Sequence, residues 1–174
     1  YLQEKTHSRP VYVDVEKVAT LDETWDKEVN RAVAECLERM LDNEVLIITT
    51  YKPGTKIIDL EAKAKLHGTT KDVLAKRISD ALGKITRLVM EQSDFNIKGC
   101  FTSGGDITAA LCTNLHAHGI KLEDEVLPLA AYGKIIGGIM PNLNIVTKGG
   151  LVGDKMSIFE CVRYIKSKRM EVEL

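Results

Sequence analysis

The sequence predicts an α/β fold: a mostly parallel, mixed sheet with helices on both faces, in three layers. Three observations carry that expectation. Apolar runs rich in β-branched residues alternate with segments whose apolar residues recur at spacings of three and four. Their order, strand then helix three times over, is that of a parallel sheet covered on both sides. Glycine pairs stand directly after two of the apolar runs, at Gly104–Gly105 and Gly149–Gly150, where strand ends of open α/β sheets take ligands.

The elements follow in order. "VYVDV" (11–15) alternates as a strand, and the segment after it turns helical, with Val29, Val33, Cys36, Leu37, Met40 and Leu41 on one stripe. "EVLIITT" reads as a strand buried on both faces. Pro53 and Gly54 break it into a surface loop. From a threonine cap, Leu74, Ile78, Leu82, Ile85 and Val89 mark a long amphipathic helix, with Gly83 a local cost of up to about 1 kcal/mol. "IKGCFTS" is a third strand, and a helix should run from near Asp106 to about His118. Beyond Gly119, β-like runs punctuated by Gly and Pro suggest hairpins, and a last helix over about 155–168 carries Ile158, Val162 and Ile165.

At 174 residues the chain can bury one core without disulfides or metal, so a single domain over 1–174 is expected. With 24 basic against 25 acidic residues, the net charge of -1 gives no electrostatic reason for a nucleic-acid or anionic-membrane partner. Cys36, Cys100, Cys112 and Cys161 lack any C-x-x-C spacing and read as reduced thiols of a cytoplasmic protein. No apolar stretch approaches the ~20 residues a bilayer requires. The opening "YLQEKTHSRP" has no starting Met and reads as the last turn of a helix, so the chain is expected to be a piece of something longer.

The stretch "TSGGDITAALC" (102–112) poses the functional question. A helix N-terminus leaves N–H groups unpaired and carries about half a positive charge, and glycines before it let an anion approach. Gly104 and Gly105 suit a phosphate, although taken alone a tight turn explains them better and neither G-x-x-x-x-G-K-[ST] nor G-x-G-x-x-G is present. Asp106 reads either as an N-cap or as a partner of a divalent cation beside phosphate. Thr108 is a candidate hydroxyl donor to phosphate, or a capping neighbour. The second cluster, "NIVTKGGLVG" (144–153), places Lys148 and then Gly149 and Gly150 at a strand end. A mobile charge and exposed N–H groups suit phosphate there too, against the alternative of a glycine turn with a solvated lysine.

Together, "FTSGGDITAAL" and "GGIMPNLNIVTKGGLVGD", with their separation, resemble the C-terminal nucleotide-binding domain of the four-carbon acid sugar kinase family, whose members phosphorylate threonate, erythronate and related tetronates. The resemblance implies a Rossmann-like nucleotide-binding domain using ATP and Mg²⁺. It implies that Gly104, Gly105, Asp106 and Ile107 line the ATP phosphates and that Gly149 or Gly150 makes the second contact. Thr108 and Lys148 join them as candidates. Ile107 stands where the family usually has Thr, and Leu151 and Val152 at positions that usually end in Phe. The family's substrate domain, with its Asp-Asp-x-Thr-Gly motif, has no counterpart here, so the chain alone is expected to be inactive and its catalytic base is unassigned. A homo-oligomer is left open. The alternative is a nucleotide-sensing or interaction module without phosphotransfer.

Other features have plainer readings. His116 and His118 suit a helix C-terminus better than a metal, and no metal site is assigned. "KLEDEV" reads as a solvated turn, Trp25 as an anchor against the core, and "KSKR" as a basic helix end.

Overall fold

The computed structural model describes residues 1–150 and 153–170, with only the backbone of Arg169 and Met170. Leu151 and Val152 lie outside the described residues. The chain forms two compact units, one over Thr6–Ser93 and one made of Tyr1–Lys5 with the residues from Asp94 onward. No described helix is long and apolar enough to cross a membrane.

Helix α1 (Leu2–Thr6) opens the chain. Strand β1 (Val11–Tyr12) is cut short because Asp14 turns to cap α2 (Val15–Val18), its carboxylate accepting the Glu16 N–H at 3.0 Å. Helix α3 (Thr24–Met40) buries Trp25, Val29, Ala32, Val33 and Cys36. Leu41, expected on that stripe, is 72% exposed because the helix has already ended. Strand β2 (Ile48–Thr49) pairs in parallel with β1 and is half-buried, where a strand buried on both faces was expected. Its ladder is only two residues long and has one neighbour. Helices α4 (Leu60–Leu66) and α5 (Lys71–Gln92) complete this unit, Thr70 capping α5 through the Val73 N–H at 3.3 Å. Leu74, Ile85 and Val89 are buried as the periodicity requires, and Gly83, on the opposite side of the helix, is buried as well.

Two side-chain clusters lock the unit. The Trp25 indole N–H donates to the Arg77 carbonyl at 3.0 Å, while the Arg77 guanidinium lies 4.3 Å from the ring centroid, which makes Trp25 the anchor expected of it. Glu28 is 1% exposed and accepts from the Asp14 N–H at 2.9 Å and from Arg31 at 2.6 and 2.9 Å. Arg31 also donates to the Tyr12 carbonyl at 2.8 Å, so this pair ties β1 to α3. Truncating Glu28 leaves those donors without their acceptor, and Glu28→Ala is expected to lower stability in urea unfolding by about 2 kcal/mol.

In the other unit, β3 (Gly99–Ser103), α6 (Gly105–Asn114), β4 (Gly119–Leu127), β5 (Ala130–Ile136), β6 (Asn144–Lys148) and α7 (Ser157–Met170) follow in order. The sheet order is β3-β6-β5-β4, with β3 and β6 parallel and the remaining pairs antiparallel. Strand alternation assigns the helices to faces. Phe101 packs with Cys161 and Ile165 of α7, whereas the neighbouring Thr102 turns to Thr108 of α6. Helix α6 therefore covers one face and α7 the other. This unit alone is the three-layer α/β arrangement with a mixed sheet. The single sheet expected from element order is instead two sheets among the described residues, because β3 pairs with β6 and not with β2. "KLEDEV" is not a turn but part of β4, where its acidic side chains stand exposed on an edge strand.

Candidate functional site at the ends of β3 and β6

Strands β3 and β6 are adjacent, parallel and in register, Ser103 opposite Lys148 at their carboxyl ends. Each passes directly into a glycine pair. The chain then continues to α6 on one face of the sheet and to α7 on the other. Adjacent parallel strands whose helices depart to opposite faces form the crevice where open α/β sheets bind ligands.

The two glycine loops touch. The Gly104 N–H donates to the Lys148 carbonyl at 2.9 Å, and a Cβ added to Gly150 would sit 3.7 Å from the Gly104 Cα. Gly104 is the N-cap of α6 with φ +100°, a conformation that favours glycine over any residue with a Cβ. Helix α6 therefore begins one residue before Asp106, which is exposed in the first turn and does not cap it. No side chain caps this end, and helix geometry leaves the N–H groups of Gly105, Asp106 and Ile107 without an intrahelical carbonyl. Gly105 faces open space: a Cβ at this position would have no neighbour within 4 Å.

Thr108, read from sequence as a donor to phosphate, already uses its hydroxyl inside the fold. Its Oγ1 donates to the Gly104 carbonyl at 3.0 Å and lies 2.8 Å from the Thr102 hydroxyl. Lys148 belongs to the opposite face from α6. It is 7% exposed, and its ammonium donates to the Gly149 carbonyl at 2.6 Å. The structure thus brings Gly104, Gly105, Asp106, Ile107, Gly149 and Gly150 to one strand-end crevice, while Thr108 and the Lys148 ammonium hold the loops from either side.

The amino end of α7 differs from that of α6. The Asp154 carboxylate accepts from the Met156 N–H at 2.8 Å and from the Ser157 N–H and hydroxyl, each at 3.0 Å. These bonds hold its pKa below the usual carboxylate range. An anion is thus already seated there. Beside it, a recess of about 460 Å³ is lined by Leu127, Pro128, Lys148, Asp154, Ser157 and Glu160.

The remaining features are structural. Helix α6 stops at Asn114, short of the expected His118, and among the described residues no cluster of metal-ligating side chains forms around His116 and His118. All four thiols are free. Burial pushes Cys36 and Cys100 up to about 12, so both are protonated at neutral pH.

Residues 1–158 match the family model described as the nucleotide-binding C-terminal domain. The chain belongs to this family. Nucleotide-binding C-terminal domains are thus what the two glycine loops resembled, and relatives of the chain carry kinase names. A D-erythronate kinase of Heliobacterium modesticaldum is 39% identical over 142 residues, covering 82% of this chain and 32% of that protein. A D-threonate kinase of Salmonella typhimurium is 24% identical over 158 residues, covering 91% of this chain and 37% of that protein. The chain therefore spans about a third of the length of these curated relatives. Among solved structures, a domain of unknown function from Bordetella bronchiseptica, crystallised with citrate as a domain-swapped dimer, matches with a TM-score of 0.65. At 23% identity over 94% of this chain and 36% of that one, it supports the fold of the nucleotide-binding C-terminal domain and nothing further.

Proposed function

We propose that this chain is the ATP-binding part of a kinase that phosphorylates a four-carbon sugar acid of the threonate, erythronate or 3-oxo-tetronate type. The observation that carries the reading is the contact between the Gly104 and Gly150 loops at the carboxyl ends of two adjacent parallel strands. The names of the kinase relatives supply the substrate class.

The two helix ends divide the nucleotide between them. Phosphates go to α6, whose first N–H groups face out with no side chain over them. They avoid α7, where Asp154 already occupies the positive end. The recess beside α7 suits the nucleoside, Leu127 and Pro128 offering apolar contact and Glu160 an acceptor for hydroxyl groups. Lys148 orients the second loop and adds positive charge beneath it. A magnesium ion bound with ATP would spread and neutralise phosphate charge, and Asp106 is the carboxylate positioned to hold it through its first shell or its waters. The acceptor's carboxylate binder and hydroxyl base belong to the remainder of the kinase.

The test is a calorimetric ladder of ATP, ADP and AMP on this chain. Affinity should rise with phosphate number, and Lys148→Ala should weaken ATP more than AMP. Equal affinities along the ladder, or no binding at all, would discard the site. A nucleotide sensor is separated from a kinase by assaying the longer polypeptide for transfer to the sugar acid.

A further inference from the structure

Thr102 and Thr108 touch no phosphate in the nucleotide site as proposed, yet they form a part-buried hydroxyl pair directly behind its first loop. Thr102 is 4% exposed, and its hydroxyl oxygen lies 2.8 Å from that of Thr108. Proton accounting fixes the direction of the pair. A carbonyl oxygen only accepts, so the Thr108 hydroxyl hydrogen is committed to the Gly104 carbonyl at 3.0 Å. The Thr108 oxygen must then receive the hydrogen of Thr102. The order is Thr102 to Thr108 to the Gly104 carbonyl.

A threonine bonding back four residues is ordinary within a helix. What sets this one apart is the residue it reaches. The Gly104 N–H is tied to the Lys148 carbonyl at 2.9 Å, and the Gly104 carbonyl accepts from both the N–H of Thr108, at 3.1 Å, and its hydroxyl. Both polar groups of a glycine at φ +100°, otherwise the freest position of the loop, are therefore held. The peptide between Gly104 and Gly105 is planar and trans, so fixing the direction of the Gly104 carbonyl fixes the Gly105 N–H in the opposite direction, out of the helix.

We infer that Thr102 and Thr108 are positioning residues that aim the Gly105 N–H at a nucleotide phosphate. The inference rests on the nucleotide reading of the crevice. It replaces a direct contact between the Thr108 hydroxyl and phosphate with an action through the backbone.

The experiment is a double-mutant cycle on this chain, read as ADP and AMP affinities beside thermal unfolding. Valine keeps the shape of threonine and removes the hydroxyl. Thr108→Val should weaken ADP about tenfold and Thr102→Val about threefold, each more than AMP. The double variant should bind ADP no more weakly than Thr108→Val alone, because Thr102 acts only through Thr108. Thr108→Ser and Thr102→Ser, which retain the hydroxyl, should return ADP affinity to within about twofold of the parent. A loss at Thr108→Val with none at Thr102→Val would overturn the inference in favour of direct contact. Equal losses for ADP and AMP that track the unfolding temperature would overturn it in favour of simple packing. If Gly105→Val abolishes ADP binding while the threonine variants bind normally, the inference fails and the site stands. If the parent chain binds no ADP, both fail.

Discussion

Purified alone and supplied with Mg-ATP, the 174-residue chain should bind nucleotide and leave every four-carbon sugar acid unphosphorylated. Phosphoryl transfer depends on holding both reactants in line, and losing that alignment forfeits several powers of ten in rate. On the proposed reading, the crevice between the glycine loops holds one reactant. Of the two carboxylates next to the glycine loops, Asp154 is spent on capping α7 and Asp106 lies at the proposed phosphate end. The relatives named as kinases are about three times as long as the matched region. The rate of the isolated chain should therefore fall short of the longer polypeptide by about 10⁴-fold or more. Comparable turnover by the two in a coupled ADP-release assay would place the acceptor site within these residues.

The second large effect is expected at Gly105. Its backbone does not need glycine: the left-handed glycine of this loop is Gly104, and a Cβ at Gly105 would meet nothing within 4 Å. Gly105→Val should therefore leave the unfolding temperature almost unchanged, apart from the slight penalty of a β-branched residue in a first helical turn. The added methyls would stand in the open space where the phosphates are proposed to lie. ADP affinity should drop by at least about a hundredfold, equivalent to ~2.7 kcal/mol. A folded variant that binds ADP as the parent does would remove the α6 amino end from the site. Because stability and binding separate here, the result cannot be confused with unfolding.

Much of the fold was legible because it is written in local patterns. The stripe of Leu74, Ile85 and Val89 specifies α5 without reference to anything distant, and Thr70 marks its start. The edges were harder to read. Asp14 alternates correctly for a strand but caps a helix, and only the chain's turn after Tyr12 shows which role prevails. The partner of β3 was not legible at all. That β6 returns beside β3 is a long-range pairing, made possible by the β4–β5 hairpin. At the site, the paired glycines marked a loop leading into a helix, but the capping rule looks for a side-chain oxygen and so favoured Asp106. The backbone reached the same end with Gly104 at positive φ. The hydroxyl of Thr108 looked available in sequence because residue types alone do not show that it turns back to the Gly104 carbonyl and meets Thr102 at the end of β3.

Strand β4 bears on how the molecule behaves in concentrated solution. It is the outer strand of a four-stranded sheet, with backbone N–H and C=O groups along its rim that another chain could use for strand addition. Glu123, Asp124 and Glu125 follow one another along that strand and are exposed, and the pairing with β5 is irregular at two places, between Leu122 and Asp124 and between Glu125 and Leu127. A second copy approaching edge to edge would meet like charge and a broken ladder. The strand's acidity thus acts as a guard against fibre-like growth, and replacing the three acids by neutral β-formers should show itself first as precipitation and not as lost nucleotide affinity.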